Sequence, residues 1–163
     1  MSIQSLRISD SIDEVIEKYS KMVYRLALAY VKAAHDAEDV FQEVFLRYIS
    51  KPRIFENEEH RKAWLIRVTI NRCKSHLSSS WLRKTVPLDS TLAYEDEIAN
   101  DLSEYLALLP EKYRPIIHLF YCEEMTTKQI SEILHVKEST VRSWLARARA
   151  ILRDKLKGNY QYE

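Results

Sequence analysis

The chemically capable side chains of this chain are not spaced for catalysis. Its five histidines, His35, His60, His76, His118 and His135, share no close ligand spacing such as HxxxH. Cys73 and Cys122 stand far apart, each in an apolar helical context without metal-ligand spacing, so both are expected to be buried free thiols. Asp36, Glu38, Asp39 and Glu43 crowd into little more than two helical turns. No histidine or further carboxylate stands at ligand spacing to them, and acids near a helix N-terminus are favoured by the dipole. No catalytic residue, metal or cofactor is therefore expected. The spacing that does support chemistry supports binding, and it lies in two basic stretches.

The first is Thr126–Lys157, TTKQISEILHVKESTVRSWLARARAILRDKLK. It predicts two helices joined by a tight turn. Ile130, Ile133 and Leu134 give the first a short apolar face, and Thr126 with Gln129 can form a capping box at its start. In the second, Val141, Leu145, Ala148, Leu152 and Leu156 recur at helical spacing. At about 100° per residue, Ser139, Ser143, Ala146 and Ala150 point away from that stripe, flanked by Arg142 and Arg147. Small residues with arginines at the rim let a helix approach a groove, where arginine grips a guanine edge or a phosphate. This is the pattern of a helix-turn-helix reader of duplex DNA. Lys137, Ser139, Thr140, Arg142, Ser143 and Arg147 are its candidate DNA-facing residues. His135 holds the turn position, where a positive φ is expected, and neither Val136 nor Lys137 offers a capping acceptor to the second helix.

The second stretch, His60–Leu88, contains no acid. Arg61, Lys62, Arg67, Arg72, Lys74, Arg83 and Lys84 are interleaved with Trp64 and Trp81. Cations that track phosphates beside aromatics that stack on bases suit single-stranded nucleic acid. Trp64 itself is expected in the core.

The elements that must position these residues are all helical. A single glycine in 163 residues argues against hairpins and sheets. A helix is expected from Ser11 to about Lys32, a second over Asp36–Ser50, and a third from about His60 to Trp81. A loop containing Pro52 and an exposed Phe55 precedes the third. Ile66, Ile70, Cys73 and Leu77 form one apolar stripe of that helix and Trp64 with Val68 another, which implies burial on two sides. After Pro87 come Asp89, Glu95, Asp96, Glu97 and Asp101 without a base until Lys112, an acidic linker. Pro110 is expected to open the next helix, Pro115 to kink or delay it, and Gly158 to end the last one. The formal net charge is only +1, so the charge is segregated rather than global. The N-terminus lacks a signal peptide pattern, and the longest apolar window, Met22–Val31, is interrupted by Arg25 and too short for a membrane span. A cytoplasmic location is expected.

These stretches carry a family resemblance. ISEILHVKESTVRSWLARARAILRDKL resembles region 4 of the extracytoplasmic-function (group IV) sigma factors of bacterial RNA polymerase, in the sigma-70 family, and LPEKYRPIIHLFY resembles the opening of that region. DAEDVFQEVFLRY resembles their region 2.2 helix, and WLIRVTIN their region 2.3–2.4 signature. The resemblance implies an all-α chain of two small helical domains. Region 2 would span residues 1–84, the acidic linker 85–101 and region 4 residues 102–163. It implies a promoter-specificity subunit, not an enzyme, whose region 4 reads the −35 element. Asp39, Gln42 and Glu43 would face core RNA polymerase. Phe55 and Asn71, with Lys62, Arg67 and Lys74 of the basic stretch, would serve at the −10 element of promoter DNA. An anti-sigma factor, commonly membrane-anchored in the family, would be a further partner. The competing reading is a stand-alone helix-turn-helix regulator with an N-terminal sensing or dimerising domain. The acid-free third helix argues against it, because a dimer interface does not need so basic a face.

Overall fold

The computed structural model describes residues 12–51, 53–80 and 104–160. The acidic linker, Trp81, Arg83, Lys84 and the extreme termini lie outside them. The chain divides into two compact units, Met1–Ala93 and Tyr94–Glu163.

The first unit is built on three helices: α1 (Ile12–Val31), α2 (Ala34–Ser50) and α3 (Glu58–Ser80). Each packs against the other two. Val23, Leu26 and Ala27 of α1, Val40 and Val44 of α2, and Leu65, Ile66 and Cys73 of α3 are fully enclosed between them. Burial pushes the Cys73 thiol up to about 12. The join between α1 and α2 is abrupt because Lys32 takes a positive φ of 68°. α2 therefore begins at Ala34, two residues before the expected Asp36.

A polar network fastens α1 to the start of α3. The Tyr19 hydroxyl donates to Glu58 Oε2, which has Lys18 Nζ 3.5 Å away, and Glu58 Oε1 accepts from Arg61 at 2.9 Å. Partial burial works against the Glu58 charge, yet Tyr19, Arg61 and Lys18 together hold its carboxyl below the usual range. Burial and the Glu58 carboxylate raise the Tyr19 hydroxyl. Arg61 is thereby withdrawn from the basic surface to which sequence spacing assigned it: it is buried, with its guanidinium over the Phe55 ring.

Phe55 is itself a correction. The loop before α3 was expected to expose it, but it is 1% exposed. Its ring stacks on Tyr48 at 6.2 Å and meets Trp64 and His60 edge-on at 6.1 and 5.3 Å. The loop folds inward because Tyr48 and Trp64, at 1% and 7% exposure, form an aromatic slot that a third ring completes.

The second unit contains a 3-10 turn at Glu111–Tyr113, then α4 (Arg114–Tyr121), α5 (Thr127–Leu134) and α6 (Glu138–Tyr160). Pro110 does not open an α-helix; it precedes the 3-10 turn. That turn delays α4, so Pro115 falls in its first turn, where a missing amide donor costs nothing. Buried Arg114 donates through Nε to the Leu109 carbonyl at 3.1 Å and pins this entry. Gly158 does not terminate α6, which continues through Tyr160. No glycine adopts a positive φ, so the left-handed cap that would use its freedom is not formed. Cys122, expected to be buried, is exposed just beyond α4.

Among the described residues, no helix is long and apolar enough to cross a membrane.

Candidate functional site

The helix-turn-helix is assembled from its caps outward. The Thr126 hydroxyl accepts from the Gln129 amide at 3.1 Å, and the Gln129 side chain accepts from the Thr126 amide at 2.9 Å, completing the capping box. α5 ends at His135, whose φ of 55° and ψ of 43° are left-handed. The His135 and Val136 amides both donate to the Ser131 carbonyl, which closes the helix end. Thr127 Oγ1 then donates to Glu138 at 2.9 Å and ties the start of α5 to the start of α6.

His135 keeps the left-handed turn at a steric cost that glycine would avoid. A His135→Gly substitution should therefore stabilise the protein. The gain should be a few tenths to about 1 kcal/mol, because glycine's greater unfolded-state entropy offsets part of the relief. Urea unfolding checks it; a lower midpoint would mean that the imidazole makes a compensating contact.

On α6, Val141, Leu145 and Ala148 are buried. Ser139, Ser143, Ala146 and Ala150 form an exposed strip of small residues, with exposed Arg142 and Arg147 on either side. Lys137 is exposed and Thr140 half-buried at the same end. Glu138 lies 3.6 Å from Arg142 one turn on and gives that arginine a carboxylate neighbour. Arg149 is engaged elsewhere: it donates to the Tyr121 hydroxyl at 2.7 Å and lies over the rings of Phe120 and Tyr121. It braces α6 against α4.

In the first unit the residues assigned to the −10 element separate. Arg67, Asn71 and Lys74 recur at four- and three-residue steps and share one side of α3, with Asn71 and Lys74 exposed and Arg67 half-buried. Lys62 sits about 140° away around the helix, and Phe55 is in the core.

Asp39, Gln42 and Glu43 share the outer side of α2 with Leu46. Gln42 and Glu43 are exposed, Asp39 is half-buried, and Leu46 is 63% exposed. These four residues form one wall of a groove of about 370 Å³; Arg72, Ser75, His76 and Ser79 of α3 form the other. Sequence spacing missed that second wall. It also missed that His76, forty residues on, reaches 2.7 Å from Asp36, so the acidic turn does have a histidine beside it. A single-sequence reading holds no signal for such a pairing.

Residues 15–83 match the family Sigma-70 region 2, and residues 99–152 match Sigma-70, region 4. The chain is 30% identical to the ECF RNA polymerase sigma factor SigM of Bacillus subtilis over 153 residues, 88% of this chain and 93% of that protein. This chain belongs to the ECF sigma factors of the sigma-70 family. It is also 26% identical to ECF RNA polymerase sigma factor SigW of Bacillus subtilis, over 91% of this chain and 90% of that one. Two solved structures share the fold of this sigma factor at 18% identity. CnrH, in complex with the cytosolic domain of CnrY, superposes with a TM-score of 0.66 over 93% of this chain and 92% of that one. RpoE of Bartonella quintana, in complex with the anti-sigma factor NepR, gives 0.65 over 89% and 96%. The all-α, two-region organisation implied by the sequence resemblance is thus that of the sigma factor fold.

Proposed function

We propose that this sigma factor directs promoter-specific initiation by dividing the work between its two units, bounded near residues 1–84 and 102–163. As a sigma factor it is a promoter-specificity subunit of RNA polymerase. The carrying observation is the exposed strip of α6, small residues framed by Arg142 and Arg147. Its shape and charge suit the major groove of a −35 element, with Lys137, Ser139, Thr140 and Ser143 close enough to contact backbone or base edges. The Arg67, Asn71 and Lys74 side of α3 suits the opened −10 strand: two cations for phosphates and one amide that both donates and accepts at a base edge. The outer strip of α2 suits a basic helical surface on core polymerase. Such a protein works in the cytoplasm, and its regulation by an anti-sigma factor is the natural counterpart of these exposed surfaces.

Adding the protein to core polymerase should give a co-eluting complex that transcribes from a cognate promoter. A chain that binds promoter DNA but never core polymerase would restore the stand-alone regulator.

Arg142→Ala should weaken −35 duplex binding by roughly 1–3 kcal/mol and relax preference at one base pair, if its guanidinium grips a base edge. A phosphate contact would instead weaken all sequences alike and flatten the salt dependence. Fluorescence anisotropy with wild-type and single-substituted duplexes separates these. Normal binding by both Arg142→Ala and Arg147→Ala would remove α6 as the reader.

Asn71→Ala should impair binding of single-stranded −10 oligonucleotides by the holoenzyme and leave −35 duplex binding intact. Equal loss in both assays would show that the work is not divided between the units.

A further inference from the structure

Where α2 begins against the C-terminal half of α3, three metal-ligating side chains converge from two helices. His76 Nε2 of α3 stands 2.7 Å from Asp36 Oδ1 of α2. One donor atom from each of Asp36, Asp39 and His76 lies within 4.8 Å of the other two. His35 Nε2, a turn before Asp39, lies 3.7 Å from Asp39 Oδ2. Two carboxylates and one imidazole thus occupy one corner of the region 2 bundle, with His35 beside Asp39 at its edge. Donor atoms around a tetrahedral ion with bonds of about 2.0 Å are about 3.3 Å apart, so small rotamer adjustments bring this set into register.

We propose that Asp36, Asp39 and His76 bind one divalent transition-metal ion of the zinc, cobalt or nickel class, with solvent completing its coordination. The donor chemistry selects the class. An imidazole donor suits zinc, nickel and cobalt, whereas calcium and magnesium take oxygen donors. Arg72 lines the adjoining groove, so a cation held by charge alone is disfavoured and imidazole bonding must supply the affinity. Two aspartates face a single imidazole at this corner, and one dication bound among them meets both carboxylates. The ion has a way in: the side chains of His35 and Asp39 are 52% and 41% exposed, and the groove opens beside Asp39 and His76. His76 is 14% exposed and forms the fixed inner end of the site. Once bound, the ion staples α2 to α3.

The test uses the full chain with Cys122→Ser, which removes the exposed thiol as a competing ligand. Zinc is titrated by calorimetry, and cobalt by the visible absorption that a tetrahedral site intensifies. One saturable equivalent and a rise in melting temperature with zinc are expected. His76→Gln and Asp36→Asn should each weaken zinc binding by more than about tenfold, the scale lost even on removing an outer partner of a ligand. Both should also abolish the thermal shift. If circular dichroism shows that His76→Gln does not fold, the more exposed Asp39→Asn carries the same expectation. No saturable binding to the folded chain, or unchanged zinc affinity in a folded ligand variant, overturns the site.

Discussion

A Glu43→Lys variant is expected to fold normally and to lose assembly with core RNA polymerase. Glu43 is exposed on the outer side of α2, where Val40, Val44 and Tyr48 supply the buried face. Lysine and glutamate have similar helix propensities, and a surface substitution of this kind usually shifts stability by no more than about 0.5 kcal/mol. The melting temperature should therefore hardly move. Association should suffer far more. Asp39 and Glu43 place two carboxylates one turn apart beside Gln42 and the exposed Leu46, which suits a helical partner that is basic with an apolar seam. Truncation at Glu43 would remove an attraction; lysine replaces it with repulsion, and like charges brought together cost several kcal/mol. Glu43→Ala should thus show an intermediate defect, and −35 duplex binding by the same protein should be unchanged. Pull-down with core polymerase beside circular-dichroism melts reads both effects. A folded Glu43→Lys protein that assembles at wild-type levels would remove α2 from the docking surface.

The second large effect is on folding. Phe55→Ala should destabilise the protein by about 3–5 kcal/mol, the range for deleting a buried aromatic ring. The ring fills the slot between Tyr48 and Trp64 and supports the guanidinium of buried Arg61. Removing it opens a cavity and takes away the surface over which that guanidinium lies, and Arg61 in turn holds Glu58, the partner of Tyr19 on α1. The loss should therefore reach beyond the loop and loosen the start of α3 against α1. Phe55→Leu, which refills part of the slot, should recover part of the loss. Denaturant unfolding of both variants checks the order. A Phe55→Ala protein with a wild-type midpoint and weakened binding of single-stranded DNA would return the ring to the nucleic-acid surface.

Much of this molecule was determined locally. Single-face periodicity places the apolar stripes of α1, α2 and α6, because a helix repeats every 3.6 residues whatever it packs against. The capping box at Thr126 and Gln129 and the left-handed turn at His135 are likewise local, since they join residues at most a few positions apart. The alignment of small residues and arginines on α6 follows from the same geometry. The family motifs were legible for a related reason: each is a contiguous run, two of them within a single helix and two spanning neighbouring elements.

Tertiary structure decided what depends on the other side of a contact. Phe55 looked exposed because its loop has no periodicity to mark an inner face, and only the Tyr48 and Trp64 rings show where it goes. Arg61 and Arg149 look like free bases in the sequence, yet Glu58 with Phe55 holds the one, and Tyr121 with Phe120 holds the other. Gly158 carried a helix-stop signal that nothing nearby used, so α6 ran past it. The meeting of His76 with Asp36 needs α2 and α3 to pack side by side with one particular register. That register belongs to the packed core, in which Val40, Val44, Ile66 and Cys73 are all buried, and no one-dimensional spacing contains it.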